Sequence, residues 1–344
     1  MTNAIALAKK IKYRFEEDRK HQRFEQIGQL ITLSLNTLPQ EYSRQIFGYI
    51  PAIFRQIDIK DSLVRAEDIY RGEPVVYKVY FPEQKKLYGL AYFYIFCYLK
   101  LDSQQLNVYF QSANPIYEEL TQLECCLSQK KISFEGSISA FKPDNISVIS
   151  ISDPGHFKPG LTSSFYVGSP ELNFNQVIAQ VIESICNAAN LSLSETLLFG
   201  SSAGTFGALL SSTYLAQKTN VLAVNSQINL HYKKELMQSI FGITQPEKLL
   251  DEYGDRLSCI YRFNQEITSI PNIYLLANIN DKLHERNFKF YQQYISKFTA
   301  PGIDNQSVFD SYYGVEGHGR PEPNSLKAKI KIAREVLTMK STVD

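Results

Sequence analysis

The amino-acid sequence predicts an α/β fold: a mainly parallel sheet with helices on both faces, preceded by a helical N-terminal arm and a group of antiparallel strands. Three observations predict it. Across the second half, short runs rich in β-branched and aromatic residues alternate with longer amphipathic segments, the pattern of strands joined by covering helices. Within that half, Leu197-Leu198-Phe199-Gly200-Ser201-Ser202-Ala203-Gly204 reads as an apolar strand, a Gly-x-Ser-x-Gly turn and a helix start. Hydrophobic residues make up 44% of 344, enough to bury both faces of such a sheet.

Taken in order, residues 1–70 form a helical arm or cap, because Phe24, Ile27, Leu30, Ile31 and Leu35 recur at helical spacing among Lys, Arg, Glu and Gln. Such an arm suits packing, homo-oligomer formation or docking onto a partner. Residues 71–140 contain β-rich runs at 75–81, 88–96 and 106–110, expected as antiparallel strands that join the sheet or form a small accessory domain. Residues 141–344 form the core. Its strands are expected at 147–152, 196–199, 220–224, 273–277 and 308–312, with helices at 175–189, 205–216 and, closing the chain, 325–339.

Charge and cysteine content exclude several classes. With 36 basic against 35 acidic residues and a net charge of +1, nothing marks a nucleic-acid or anionic-membrane binder. Lys9 and Lys10 interrupt the start before an apolar run long enough for a signal peptide, and the aromatic stretch 87–99 is too short to span a bilayer as a helix. A cytoplasmic protein without a transmembrane segment is expected. The five cysteines form no CxxC pair and no Cys/His ligand cluster, so they are read as reduced thiols, with no metal centre.

The Gly-x-Ser-x-Gly turn nominates Ser202 as a nucleophile, because a serine at the tip of a strained strand-to-helix turn needs small neighbours. A serine hydroxyl also needs a base, and the charged base needs an acid, each expected after a later strand. Asp281 follows the strand 273–277 and is the expected acid, with Asp310 and Asp304 as rivals; Asp is equally a favoured cap for a helix beginning near Lys282. His318, in the glycine-flanked loop after the last strand, is the expected base. An oxyanion would be held by the amide of Ala203 and by a second donor in the loop after the strand 147–152. Pro154 has no N–H there, so Asp153, Gly155 or His156 must donate. Asp153 could instead shape that loop through its carboxylate. His156 and His284 are candidates for contact with substrate.

At these residues the chain resembles the serine α/β-hydrolase superfamily. Within it the chain is similar to bacterial proteins of capsule and glycan gene clusters, among them carbohydrate O-acetyltransferases and glycan-modifying proteins of accessory secretion systems. The similarity rests on Ser152-Asp153-Pro154, on Phe-Gly-Ser-Ser-Ala-Gly at 199–204, on Asn-Ser-Gln at 225–227, on Asn280-Asp281 and on Gly-His-Gly at 317–319, and it covers roughly the last 200 residues. It implies an α/β-hydrolase-like sheet and O-acetyl transfer to a bacterial polysaccharide through an acyl-serine. No bound cofactor is implied, and acetyl-CoA is the natural acyl donor. The same residues would serve a carboxylesterase or carbohydrate deacetylase acting on a small acyl ester, and a non-catalytic part in a glycan export complex is the third reading.

Overall fold

A computed structural model describes residues 54–113, 136–142, 144–158, 161–265, 270–299, 304–315 and 317–338, with scattered positions among the first 21. The first 53 residues of the arm expected over 1–70 therefore lie almost wholly outside the described residues, as do Cys125 and Cys126.

Among the described residues nine strands form one sheet: β1 (Arg55–Ile59), β2 (Val75–Tyr80), β3 (Tyr92–Tyr98), β4 (Gln105–Phe110), β5 (Ile146–Ile151), β6 (Thr196–Ser201), β7 (Asn220–Val224), β8 (Asn272–Asn278) and β9 (Val308–Tyr312). Their order is β1-β2-β3-β5-β4-β6-β7-β8-β9. Only β3 runs against the rest, antiparallel to β2 and β5, and every other pairing is parallel. The helices are α1 (Phe174–Ala188), α2 (Ala203–Ser212), α3 (Lys234–Phe241), α4 (Pro246–Leu257), α5 (Cys259–Phe263), α6 (His284–Phe290) and α7 (Pro323–Thr338). No described helix is long and apolar enough to cross a membrane.

Two expectations are corrected. Residues 55–59, which the helical arm would include, form β1, and the burial of Ile59 beside exposed Gln56 and Asp58 shows the two-residue alternation of an edge strand. The run at 106–110, grouped with the antiparallel strands, is β4 in the middle of the sheet, parallel to both neighbours. Leu106 to Phe110 are buried on both faces, as a central parallel strand requires.

The position of β4 organises the molecule. The chain leaves β4 toward β5 on one side and leaves β6 toward β7 on the other, so the strand order reverses between β4 and β6. The carboxyl ends of these two strands open a crevice of the kind in which α/β sheets hold ligands. Helices cover both faces: Phe110 packs under Gly207 of α2, whereas Asn107 bonds Arg334 of α7, and residues three apart on a strand point to opposite sides. In α1, Val177, Ile178, Val181, Ile182 and Ile185 are buried at helical spacing, which seats its apolar face. Cys97, Cys186 and Cys259 are unpaired and buried, and burial pushes the thiols of Cys97 and Cys186 up to about 12, far from the reactive range.

The helix α2 approaches the sheet at Gly204, where an added Cβ would lie 2.4 Å from the carbonyl oxygen of Phe110. Backbone occupies that space, so Gly204→Ala must displace either α2 or β4. A loss of about 1–3 kcal/mol is expected, the usual cost of overpacking. Urea unfolding checks it, and an unchanged midpoint would show that the contact yields without strain.

Candidate active site

Ser202 stands between β6 and α2 at φ 51° and ψ −116°, a conformation that a non-glycine residue adopts only when its surroundings impose it. Those surroundings are visible. The Ser202 amide donates to the Val224 carbonyl at 3.0 Å, and the Thr205 hydroxyl donates to the Ser202 carbonyl at 2.6 Å. A Cβ on Gly200 would lie 2.4 Å from the Gly204 carbonyl oxygen, so the turn closes only with glycine there. The result places Ser202 Oγ at the carboxyl edge of the sheet with the amide end of α2 behind it.

His318 joins Ser202 to Asp281. Its Nε2 lies 2.8 Å from Ser202 Oγ and its Nδ1 lies 2.6 Å from Asp281 Oδ2. With the carboxylate accepting from Nδ1–H, Nε2 keeps its lone pair for the serine proton. The Asp281 side chain is 2% exposed and that of His318 40%, so the acid is sealed and the imidazole remains reachable. Asp281 Oδ1 also accepts the Leu283 amide at 2.9 Å, so one carboxylate caps its own turn and holds the histidine. The rival acids lie elsewhere: Asp310 bonds Tyr274 and Lys329, and Asp304 pairs with Lys218 at 2.6 Å.

The loop after β5 departs from expectation. The Asp153 amide donates to Gln111 Oε1 at 3.0 Å, and the Gly155 amide donates to Asp153 Oδ1 at 2.8 Å. Neither amide is left for an oxyanion. The Asp153 carboxylate, buried and 1% exposed, gathers the Ser163 hydroxyl at 2.6 Å and the Ser164 amide at 2.7 Å. Asp153 is therefore the fastener of that loop. The segment that lies beside Ser202 follows β4 instead: Phe110 pairs with Gly200, and the Ser112 hydroxyl donates to the Ser201 carbonyl at 2.7 Å. Ala203 is the first residue of α2, which begins two residues before the helix expected at 205–216.

The backbone of His156 lies in the short helical turn Pro154–Phe157. His284 makes its contacts on β9. Its Nε2 is 2.9 Å from Ser311 Oγ and its ring packs edge-on against Phe309 at 5.6 Å, both on β9. The histidine belongs to the cover of the sheet.

Other residues complete the site. Buried Asn225 donates to the Tyr312 hydroxyl at 2.8 Å and to the Gly319 carbonyl at 2.9 Å, while its oxygen accepts the Asn278 amide at 2.8 Å. Tyr312 also donates to the Gly319 carbonyl. One asparagine thus ties the ends of β7, β8 and β9 to the residue that follows His318. Its only sequence signal was its place in Asn-Ser-Gln directly after a strand. Arg320 donates from Nε to Ser201 Oγ at 2.9 Å and from Nη2 to Ser112 Oγ. Lys233, Lys282 and Arg286 come from the loops after β7 and β8 and from α6. Partial burial, then the charges of Lys282 and Arg286, hold the Lys233 ammonium below the usual lysine range. None of the three joins an ion pair among the described residues, and Lys233 Nζ sits 5.1 Å over the Phe165 ring.

No protein-family model matches the chain, and none of the curated proteins matches it in sequence. Among solved structures it is similar to the uncomplexed acylaminoacyl peptidase of Pyrococcus horikoshii, at 12% identity and a TM-score of 0.51 over 79% of this chain and 43% of that one. A structure from work on two prolyl endopeptidases is similar at 12% identity and a TM-score of 0.50, over 76% of this chain and 38% of that one. This chain thus spans less than half of either structure. The capsule O-acetyltransferase of Neisseria meningitidis serogroup A is also similar, at 15% identity and a TM-score of 0.49 over 70% of this chain and 91% of that one. With its strand order, its reversal between β4 and β6 and the two peptidase neighbours, the chain has the α/β-hydrolase fold.

Proposed function

We propose that this chain is a serine-dependent acyl-transfer enzyme that moves an acetyl group from acetyl-CoA to a hydroxyl of a bacterial saccharide. One observation carries the acyl chemistry: the hydrogen-bonded chain from Ser202 through His318 to Asp281, with the hydroxyl and the imidazole 2.8 Å apart. His318 Nε2 takes the serine proton as Oγ attacks the thioester carbonyl. The tetrahedral oxyanion is held by the Ala203 amide at the start of α2 and by an amide of residues 111–113, the segment tied to the serine strand through Ser112. His318 then returns its proton to the departing thiol, leaving acetyl-Ser202. A sugar hydroxyl, deprotonated by the same imidazole, attacks that ester and releases the serine. Water in the sugar's place makes the same atoms an esterase.

The cations support an anionic donor. Lys233, Lys282 and Arg286 stand at the edge of the sheet where Asp281 ends its loop, without acidic partners among the described residues, and phosphates of a CoA thioester would supply their counter-charge. Lys282→Glu is expected to raise KM for acetyl-CoA about tenfold, the equivalent of about 1.4 kcal/mol. The change for uncharged p-nitrophenyl acetate should be much smaller. Equal changes for both substrates would remove the donor-binding role.

The direct test incubates the protein with acetyl-CoA, with and without an acceptor saccharide, and follows acetyl-Ser202, free CoA and acetylated glycan by mass spectrometry. Acetyl-enzyme that discharges onto the saccharide supports transfer. Hydrolysis of simple esters with no glycan product assigns the site to an esterase.

A further inference from the structure

We propose that Arg320 is a positioning residue that sets the segment after β4 against the serine strand, and so places the amide that would hold the oxyanion. The inference rests on the reading of Ser202 as nucleophile. Arg320 lies two residues beyond His318, in the loop that brings the imidazole to the serine. Its guanidinium presents two adjacent N–H groups along one edge. Nε donates to the hydroxyl of Ser201, the residue before the nucleophile, at 2.9 Å, and Nη2 donates to the hydroxyl of Ser112. Ser112 in turn donates to the Ser201 carbonyl at 2.7 Å. The two serines are buried, at 2% and 5% exposure, so the fork of the exposed arginine closes downward onto sealed hydroxyls.

The site needs such a fastener because the ladder between β4 and β6 ends at the pair Phe110–Gly200. Beyond it β6 turns into the strained Ser202, and no further backbone pairing aligns the two strands. Side chains take over that alignment. On its other side the same segment is held by Gln111, whose Oε1 accepts the Asp153 amide at 3.0 Å. The base of the arginine is held too, since the carbonyl of Gly319 accepts from Asn225 at 2.9 Å and from Tyr312. One planar cation therefore links the nucleophile strand, the segment facing it and the histidine loop. The rigid spacing of Nε and Nη2 sets a separation between Ser201 and Ser112 that a lysine ammonium on a flexible stem does not set. A shift of about 1 Å in that segment would move its amide off the oxyanion and cost on the order of 10²-fold in rate.

The test uses the full chain and p-nitrophenyl acetate, with Ser202 labelling by a fluorophosphonate as a second readout and thermal melting as a check on folding. Arg320→Met is expected to lower kcat about 10²-fold and to slow labelling in parallel, with KM changed by less than about twofold. Ser112→Ala, a small change less exposed to misfolding, should cost about tenfold in kcat. The double variant Arg320→Met/Ser112→Ala should be no slower than Arg320→Met alone, because both changes cut the same linkage. Millimolar guanidinium should restore part of the lost kcat in Arg320→Met, and Arg320→Lys should recover less. A wild-type protein that turns over ester while Arg320→Met keeps kcat within about threefold of it, or fully additive losses in the double variant, would overturn the arginine's role and leave the Ser202 reading intact. A wild type that neither turns over ester nor is labelled at Ser202 would overturn that reading and this inference with it.

Discussion

On the proposed mechanism, replacing Ser202 by alanine is expected to lower acyl transfer and ester hydrolysis by about 10⁵-fold or more, because the change removes the oxygen that would carry the acyl intermediate. The structural consequences should be small. Ser202 Oγ bonds His318, whose side chain is 40% exposed, and alanine keeps the Cβ that the turn already accommodates. The strain at φ 51° remains, since alanine is no freer there than serine. Melting temperature should therefore stay near that of the wild type while acetyl-enzyme disappears from the mass spectrum. Turnover that survives in folded Ser202→Ala would remove the serine from the chemistry altogether.

Asp281→Asn should cost about 10⁴-fold in kcat, and the reason lies in a tautomer rather than in lost attraction. The carboxylate accepts from His318 Nδ1–H at 2.6 Å, leaving Nε2 free to take the serine proton. An asparagine amide can instead donate to Nδ1, which shifts the ring proton to Nε2 and faces the serine hydroxyl with a donor. Folding is preserved because the asparagine carbonyl still accepts the Leu283 amide where Oδ1 does so at 2.9 Å. Asp310→Asn is the control. It loosens the contacts of Asp310 on β9 with Tyr274 on β8 and Lys329 on α7 and should leave activity within about threefold, because neither contact reaches Ser202 or His318. Kinetics of the two variants side by side decide the acid, and full activity in Asp281→Asn would move the role to another group.

The candidate site was legible where chemistry and chain neighbourhood coincide. Gly200, Ser202 and Gly204 lie within one turn, so the need for small residues at a strained strand-to-helix junction is written in adjacent positions. Asp281 and His318 each close a strand of their own, and a parallel sheet brings the carboxyl ends of successive strands to one edge whatever the loops contain. These inferences needed the direction of the strands and not their order.

The second oxyanion donor needed the order. Asp153 and Gly155 are expected as donors because their loop follows an earlier strand, 147–152, and chain order does not say which earlier strand lies beside the serine strand. In the structure β4 intervenes, the amides of Asp153 and Gly155 serve their own loop, and Ser112 reaches the serine strand from the segment after β4. The contacts of His284 needed the tertiary structure too: its position just after Asp281 said nothing of which side of α6 would meet Ser311 and Phe309 on β9.

Local chain chemistry was thus sufficient for the α/β class, the serine turn and the aspartate and histidine that meet it, since each depends on residue types a few positions apart. Long-range pairing settled the rest: which strand lies against β6, which loop faces the nucleophile, and how Arg320 and Asn225 hold the histidine loop. Those contacts join residues about a hundred or more apart in the chain, and their free energy comes from sheet order and shared burial, quantities that no local pattern encodes.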